Sequence, residues 1–457
     1  MNSPLLNQTY RRLFTAQVVA LAGTGLSTIA LALLAYDLAG GEAGMVLGTA
    51  LALKMVAYVG IAPIVGGLAH RLPRRSMLIT LDVARAGFVA CLPFVTEVWQ
   101  IYVLIFALNA CSAGFTPTFQ ATIPDILPDE RQYIRALSLS RLAYDLENLL
   151  SPALAAAALV LLTFDALFVV NAVAFLISAV LVYSVRFPSQ KPHEREEGLW
   201  HNTSFGIRAY LNTPRLRGLL ALSFAVASAG SMVIINTVVY VRDTLGGTNS
   251  DTAVAFAAAG AGSMVVALLL PRLLERMADR PIMLGGGAVL TMGLLIGLTG
   301  PDFTIILVIW FILGVGSSLV QTPAGRLLKR SAQESDRPAI YAAQFALAHV
   351  CWLVTYPLAG WIGAMFGLTT SFAVLGLLTL TATVTAFFIW PVNDPLELEH
   401  RHESLKHKHL HTHDKHHHHE HEGWEGPEPH HHRHRHEALK HKHDFVIDLH
   451  HPVQPSR

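Results

Sequence analysis

The chain has 457 residues, of which 52% are hydrophobic and only 14% charged, with a formal net charge of +1. Its mean hydropathy of +0.43 includes a very polar C-terminal tail, so the remainder is too apolar for a soluble domain and reads as an all-α integral membrane protein. The basic residues sit in short clusters between apolar runs, which topology explains, and nothing calls for nucleic acid.

Each crossing of the hydrocarbon needs about 20 apolar residues. The sequence offers twelve such runs, at 12–36, 44–68, 77–96, 99–121, 136–162, 166–186, 218–241, 252–274, 282–300, 303–325, 339–364 and 369–391. The first is too long for a cleavable signal and has no small-residue cleavage site, so it reads as a span. Cys91, Cys111 and Cys351 all fall inside spans and read as small packing residues, not as a disulfide framework. Lys and Arg set the orientation. Arg11 and Arg12, the clusters at Arg71–Arg75, Arg131–Arg135, Arg186–Arg217, Arg272–Arg280 and Arg326–Arg337 all fall on one side, and Arg242 alone on the other. Both termini are therefore expected in the cytoplasm.

The polar loop at 187–217 divides the body into halves at 1–186 and 218–392, followed by the tail at 393–457. The halves echo one another. Leu68, Arg71, Leu72, Arg75 and Met77 recur as Leu273, Arg276, Met277, Arg280 and Ile282, and Thr116-Pro117 recurs as Thr322-Pro323. Two six-span halves in parallel repeat are a transporter construction. The Thr-Pro pairs are expected to bend their helices, because proline removes a backbone hydrogen bond.

Ionisable groups within a bilayer cost about 2.5–3.5 kcal/mol each on insertion scales, so each is a functional candidate by default. Asp82 and Arg85 lie one turn apart in the third span and read as a structural ion pair. Lys54, mid-way along the second span, has no local partner and either neutralises a carboxylate elsewhere or reaches for the interface. The fifth span holds Arg141, Asp145, Glu147 and Asn148. Arg141 and Asp145 share a face and can neutralise one another, whereas Glu147 points elsewhere and is the first candidate for proton coupling and for holding a cation. Asn148 shares the Asp145 face and could add an amide oxygen or an interhelical hydrogen bond. His349 is the one histidine inside a span, either an interior hydrogen-bonded residue or a substrate ligand.

The tail concentrates what the body lacks. Twenty of the 24 histidines lie between His400 and His451, with no Cys or Met among them. They alternate at His407, His409, His411 and His413, run together at His416, His417, His418 and His419, and cluster again at His430, His431, His432, His434, His436, His441 and His443. Imidazole and carboxylate donors suit Ni(II), Co(II), Zn(II) and Cu(II), and exclude soft Cu(I). A purification tag would be one short run, and this pattern spreads over some fifty residues of mixed sequence. Being polar and charged, the tail is expected to be disordered without metal, with several modest sites that weaken as pH falls through about 6.5.

The residues Gly66-Gly67-Leu68-Ala69-His70-Arg71-Leu72-Pro73-Arg74-Arg75 resemble the loop 2–3 signature of the major facilitator superfamily, with His70 in place of an Asp and Pro73 in place of a Gly. The stretch from Asn148 to Ala155 resembles its Gly-Pro exporter motif, with Ser151 in the glycine's place. The likeness covers residues 10–392 and implies a gating role for Gly67, His70, Arg71 and Arg75. A body of this kind with a His-rich tail is similar to the NreB-type nickel-resistance exporters, as is Tyr144-Asp145-Leu146-Glu147-Asn148. That resemblance implies a proton-driven exporter of Ni(II), and of Co(II), in the bacterial inner membrane. It is expected to work as a monomer in contact with lipid, without an enzymatic activity or a catalytic cofactor, the metal being cargo or tail ligand. The alternative is an exporter of a small organic compound whose tail senses or stores metal.

Overall fold

Thirteen helices make up the described part of the first unit, Met1–Val392. They are α1 (Gln8–Ala39), α2 (Ala43–Leu68), α3 (Arg74–Cys91), α4 (Val98–Ile126), α5 (Glu130–Leu159), α6 (Phe164–Tyr183), α7 (Leu199–Asn212), α8 (Pro214–Val239), α9 (Asn249–Leu274), α10 (Asp279–Ile296), α11 (Phe303–Arg330), α12 (Arg337–Phe366) and α13 (Leu368–Ile389). The computed structural model describes residues 3–39, 43–68, 72–187, 199–334 and 336–392 of this unit. In the second unit, Asn393–Arg457, it describes 397–401, 406–411, 430–435 and 440–444.

Among the described residues, eleven helices are long and apolar enough to cross a membrane by composition alone. The twelfth crossing is α5, whose thirty residues carry Arg141, Asp145 and Glu147 in their midst. Its charges lie where it packs on α1 and on α9. Polar caps fix where the helices begin. The Asp129, Thr163 and Asp302 side chains accept from the first-turn amides of α5, α6 and α11, and Thr248 with Asp251 forms a reciprocal capping box on α9.

The packing repeats itself. Helix α1 lies on α6, α2 on α4 and α3 on both α4 and α6; likewise α8 lies on α13, α9 on α11 and α10 on both α11 and α13. Glycine permits the closest of these approaches. A Cβ on Gly314 would stand 1.9 Å from the Ala259 carbonyl oxygen, and one on Gly262 would stand 2.0 Å from that of Phe311. The halves meet where α2 and α4 touch α12, and where α5 touches α9 and α11.

The 187–217 stretch, read from sequence as a polar connection, contains the helix α7. Phe205, Ala209 and Tyr210 are buried, and the helix packs against α2 from one half and α12 from the other. A Cβ on Gly206 would lie 2.4 Å from the Ala339 carbonyl oxygen. The apolar residues follow a helical spacing, but the charges at Glu194–Glu197 just before them obscure it.

In the second unit the described residues form four short strands. Strand β1 (Glu397–Arg401) pairs antiparallel with β4 (Lys440–Asp444), and β2 (Lys406–His411) with β3 (His430–Arg435). The register sets His407 opposite His434, His409 opposite His432 and His411 opposite His430. In β2 and β4 the Lys-His alternation has the two-residue period of a strand. His413, the run from His416 to His419 and His436 lie outside the described residues.

Candidate functional site

Glu147 sits half-buried on α5 at a point where α1 comes unusually close. A Cβ on Gly25 of α1 would stand 1.8 Å from Ser151 Oγ and 3.1 Å from Glu147 Oε1, so the close approach of α1 to α5 here depends on glycine. Facing it from α2 is Lys54, whose charge acts on Glu147. The Lys54 Nζ lies 5.6 Å from the centre of the Tyr58 ring, one helical turn on. Tyr58 packs edge-on against His349 of α12 at 4.7 Å between ring centres, and Phe345 covers the imidazole at 4.2 Å. Tyr144, one turn before Glu147, is held by Gln17 of α1, which also accepts from Ser140 at 3.1 Å. His349 Nδ1 lies 2.6 Å from the Phe345 carbonyl oxygen. A carbonyl can only accept, so Nδ1 carries the proton and Nε2 keeps a free lone pair.

The other charges at the middle of the described helices are held in pairs. Arg141 and Asp145 pair at 3.2 Å, and both bond Ser263 of α9, at 2.9 and 2.6 Å; Arg141 also donates to Gln321 of α11 at 3.2 Å. This pair therefore ties α5 to the opposite half. Asp82 and Arg85 form a buried ion pair, Ser178 of α6 donates to Asp82 at 2.8 Å, and the guanidinium lies between the rings of Phe115 and Phe175. Asn148 lies on α5, and its side chain is outside the described residues.

A second cluster closes the end of the bundle that carries the N-terminus. Asp125, at the end of α4, pairs with Arg74 of α3 at 2.6 Å and with Arg337 of α12. Asp279 of α10 pairs with Arg326 and Arg330 of α11 at 3.1 and 2.8 Å, and Arg326 also reaches Glu130 of α5. Between them the Tyr133 and Tyr341 hydroxyls meet at 2.8 Å, and Lys329 donates to the Pro128 carbonyl at 3.1 Å. Arg337, Arg326, Lys329 and the tyrosine pair all join one half to the other. Of the gating residues read from sequence, Gly67 lies in the last turn of α2, and Arg75 bonds the Tyr183 carbonyl and stacks on its ring at 4.6 Å. His70 and Arg71 lie outside the described residues. Sequence reading missed Asp125, Glu130, Asp279, Tyr133 and Tyr341; their one signal was acidic residues at helix ends facing the arginines of the next helix.

Metal donors do not gather in the body: among the described residues, no three of His, Cys, Asp and Glu converge. Glu147 and His349 are the candidate donors within the membrane.

The Major Facilitator Superfamily model matches residues 13–276 and 220–417. The chain belongs to the major facilitator superfamily. Two curated relatives of the superfamily kind are an uncharacterised transporter, YfiS, from Bacillus subtilis (28% identical, covering 27% of this chain and 29% of the relative) and macrolide efflux protein A from Streptococcus pyogenes (28%, covering 32% and 36%). The aligned stretch thus spans about a third of these relatives' length. Similar solved structures include a human organic anion transporter, MFSD10 (TM-score 0.70, 10% identical, covering 83% of this chain and 98% of that one). A bacterial homologue of the iron transporter ferroportin, in an outward-facing state, gives a TM-score of 0.67 at 14% identity, covering 84% and 98%. These likenesses are of fold.

The Asp125–Arg337 and Glu130–Arg326 pairs join the halves at one end, while Lys54 and Glu147 belong to the first half and His349 to the second.

Proposed function

We propose that this transporter exports a divalent transition metal, Ni(II) first and Co(II) second, from the cytoplasm across a bacterial inner membrane in exchange for protons. The observation that carries the reading is a tail holding twenty of 24 histidines and no sulfur ligand, joined to a transporter body. With both termini cytoplasmic, as the Lys and Arg distribution implies, the tail captures metal from the cytosol. Glu147 is the anion around which cargo and proton exchange. His349, its Nε2 lone pair free, is the second donor, and the ion completes its shell with water. Efflux is also the activity named for the macrolide relative.

A second reading has a specific observation behind it. The Tyr58 and Phe345 rings pack together next to His349, Tyr144 lies near Glu147, and no three metal donors converge among the described residues. An organic cargo would stack on those rings while the tail stores metal. Cellular accumulation of Ni(II), Co(II) and Zn(II), with and without residues 396–457, separates the two. Reduced Ni(II) that persists, weakened, without the tail supports metal export by the body. Unchanged metal in every case passes the role to an organic cargo.

A further inference from the structure

One face of α5 meets the opposite half from its first turn to its middle. Glu130, Ile134, Leu137, Arg141 and Asp145 recur at steps of three and four, with Tyr133 beside them, so they form one stripe along the helix. Each has a partner across the interface. Glu130 pairs with Arg326, and the Tyr133 hydroxyl meets that of Tyr341 at 2.8 Å. Ile134 packs with Val266, Leu270 and Leu274 of α9, and a Cβ on Gly325 of α11 would stand 2.6 Å from Leu137. The stripe ends in charge. Arg141 and Asp145 pair at 3.2 Å, Arg141 Nε donates to Ser263 Oγ at 2.9 Å, and that same hydroxyl donates to Asp145 Oδ2 at 2.6 Å. Ser263 is buried on α9, so its one hydrogen and one of its lone pairs serve an ion pair that belongs to the other half. At about 1.5 Å per residue, Asp145 lies about 18 Å along α5 from Tyr133.

We propose that Ser263 is the positioning residue that ties the halves together at the inner end of this stripe. Its hydroxyl bridges the Arg141–Asp145 pair while the end carrying the N-terminus is closed, and leaves it when that end opens. The ion pair stays whole on α5. This link differs in kind from those at the end of the bundle. Parting Glu130 from Arg326, or Asp125 from Arg337, pulls opposite charges away from each other. Parting Ser263 from α5 withdraws a neutral hydroxyl, and Arg141 and Asp145 keep one another. Water entering the space can take up the hydrogen bonds that Ser263 gave. The Arg141–Gln321 bond at 3.2 Å is a neutral partner of the same sort. Two charges at the middle of a membrane helix are thereby neutralised in both arrangements, and only their uncharged partners on α9 and α11 change. The inference concerns the motion of the body and holds for a metal or an organic cargo alike.

The test measures that motion without any cargo, in full-length protein in lipid nanodiscs. Cys91, Cys111 and Cys351 are replaced, and spin labels are placed through Arg131→Cys and Glu275→Cys. Both positions are exposed, one in the first turn of α5 and one just after α9. Pulsed double resonance reads the ratio of long to short distances between them. Ser263→Ala should raise that ratio about tenfold, the effect of losing one hydrogen bond to a charged group. Ser228→Ala is the control: its hydroxyl is also buried but bonds the Phe224 carbonyl of its own helix, and the ratio should stay at the parent's value. Replacing the pair by apolar side chains, Arg141→Met with Asp145→Leu, should raise the ratio as Ser263→Ala does, since apolar substitutes for a buried pair are tolerated. Adding Ser263→Ala to that double variant should then change nothing more. This last comparison separates a tie acting through the ion pair from a general loosening of α9. A parental ratio in Ser263→Ala, or an equal gain from it with and without the pair, would overturn the proposal and leave the reading of the cargo untouched.

Discussion

Replacing Asp125 by Asn should open the closed end of the bundle. The Asp125 side chain is 2% exposed and answers two guanidinium groups at once, Arg74 in its own half and Arg337 in the other. Removing one member of a buried ion pair costs about 3–5 kcal/mol, because the remaining charge stays buried. Only part of that acts on gating. The Arg74 pair lies within one half and is kept whichever end is open, whereas the Arg337 pair is made only when the halves meet. Assigning about half of the cost, ~2 kcal/mol, to the closed arrangement shifts the equilibrium about 30-fold, at ~1.4 kcal/mol per factor of ten. Glu130–Arg326 and the Tyr133–Tyr341 bond remain and limit the effect. The assay places a cysteine at Gln321, deeper than the tyrosine pair, in a chain with Cys91, Cys111 and Cys351 replaced. Everted vesicles are then labelled with an impermeant maleimide. Asp125→Asn should raise the labelling rate in step with that shift, by about 30-fold. A rate equal to the parent's would refute the assignment of Asp125 as a latch between the halves.

Three other outcomes follow from the same structure. Asp82→Asn leaves Arg85 buried without its counter-charge, so the melting temperature in detergent should fall with a loss of about 3–5 kcal/mol, while the cargo preference of the surviving protein is unchanged. Gly314→Val should prevent accumulation in the membrane, because its Cβ would stand 1.9 Å from the Ala259 carbonyl oxygen; Gly285→Ala, with nothing within 4 Å, should accumulate normally, as immunoblots of membranes will show. Ni(II) bound by the full-length chain should decline as pH falls through about 6.5, since only neutral imidazole ligates and protonation removes sites; equal binding at pH 5 and 8 would point to carboxylates instead.

The spans were legible because a run of about 20 successive apolar residues seldom serves any structure but a membrane crossing, and even the charge-bearing α5 kept enough of that pattern to be read. The Arg141–Asp145 and Asp82–Arg85 pairings were open to sequence because a helix brings residues three and four apart together. Groups from different helices were not. Nothing local says that Lys54 faces Glu147, that Ser263 bonds Asp145 from 118 residues away, or that Asp125 holds an arginine 212 residues on. The central helix α7 was hidden for another reason: its short apolar face follows a run of charges whose composition reads as a loop. In the tail, composition speaks for ligand chemistry and says little about register, because many pairings of alternating Lys and His are nearly equivalent.

The central claim is that the body moves a divalent metal around Glu147. Uptake of radioactive Ni(II) into everted membrane vesicles under an imposed proton gradient tests it most directly, comparing the native chain, a chain lacking residues 396–457 and Glu147→Gln. The account predicts gradient-driven uptake by the native chain, weaker uptake at low Ni(II) without the tail, and none with Glu147→Gln. Full uptake by Glu147→Gln, or none by the native chain, would contradict it.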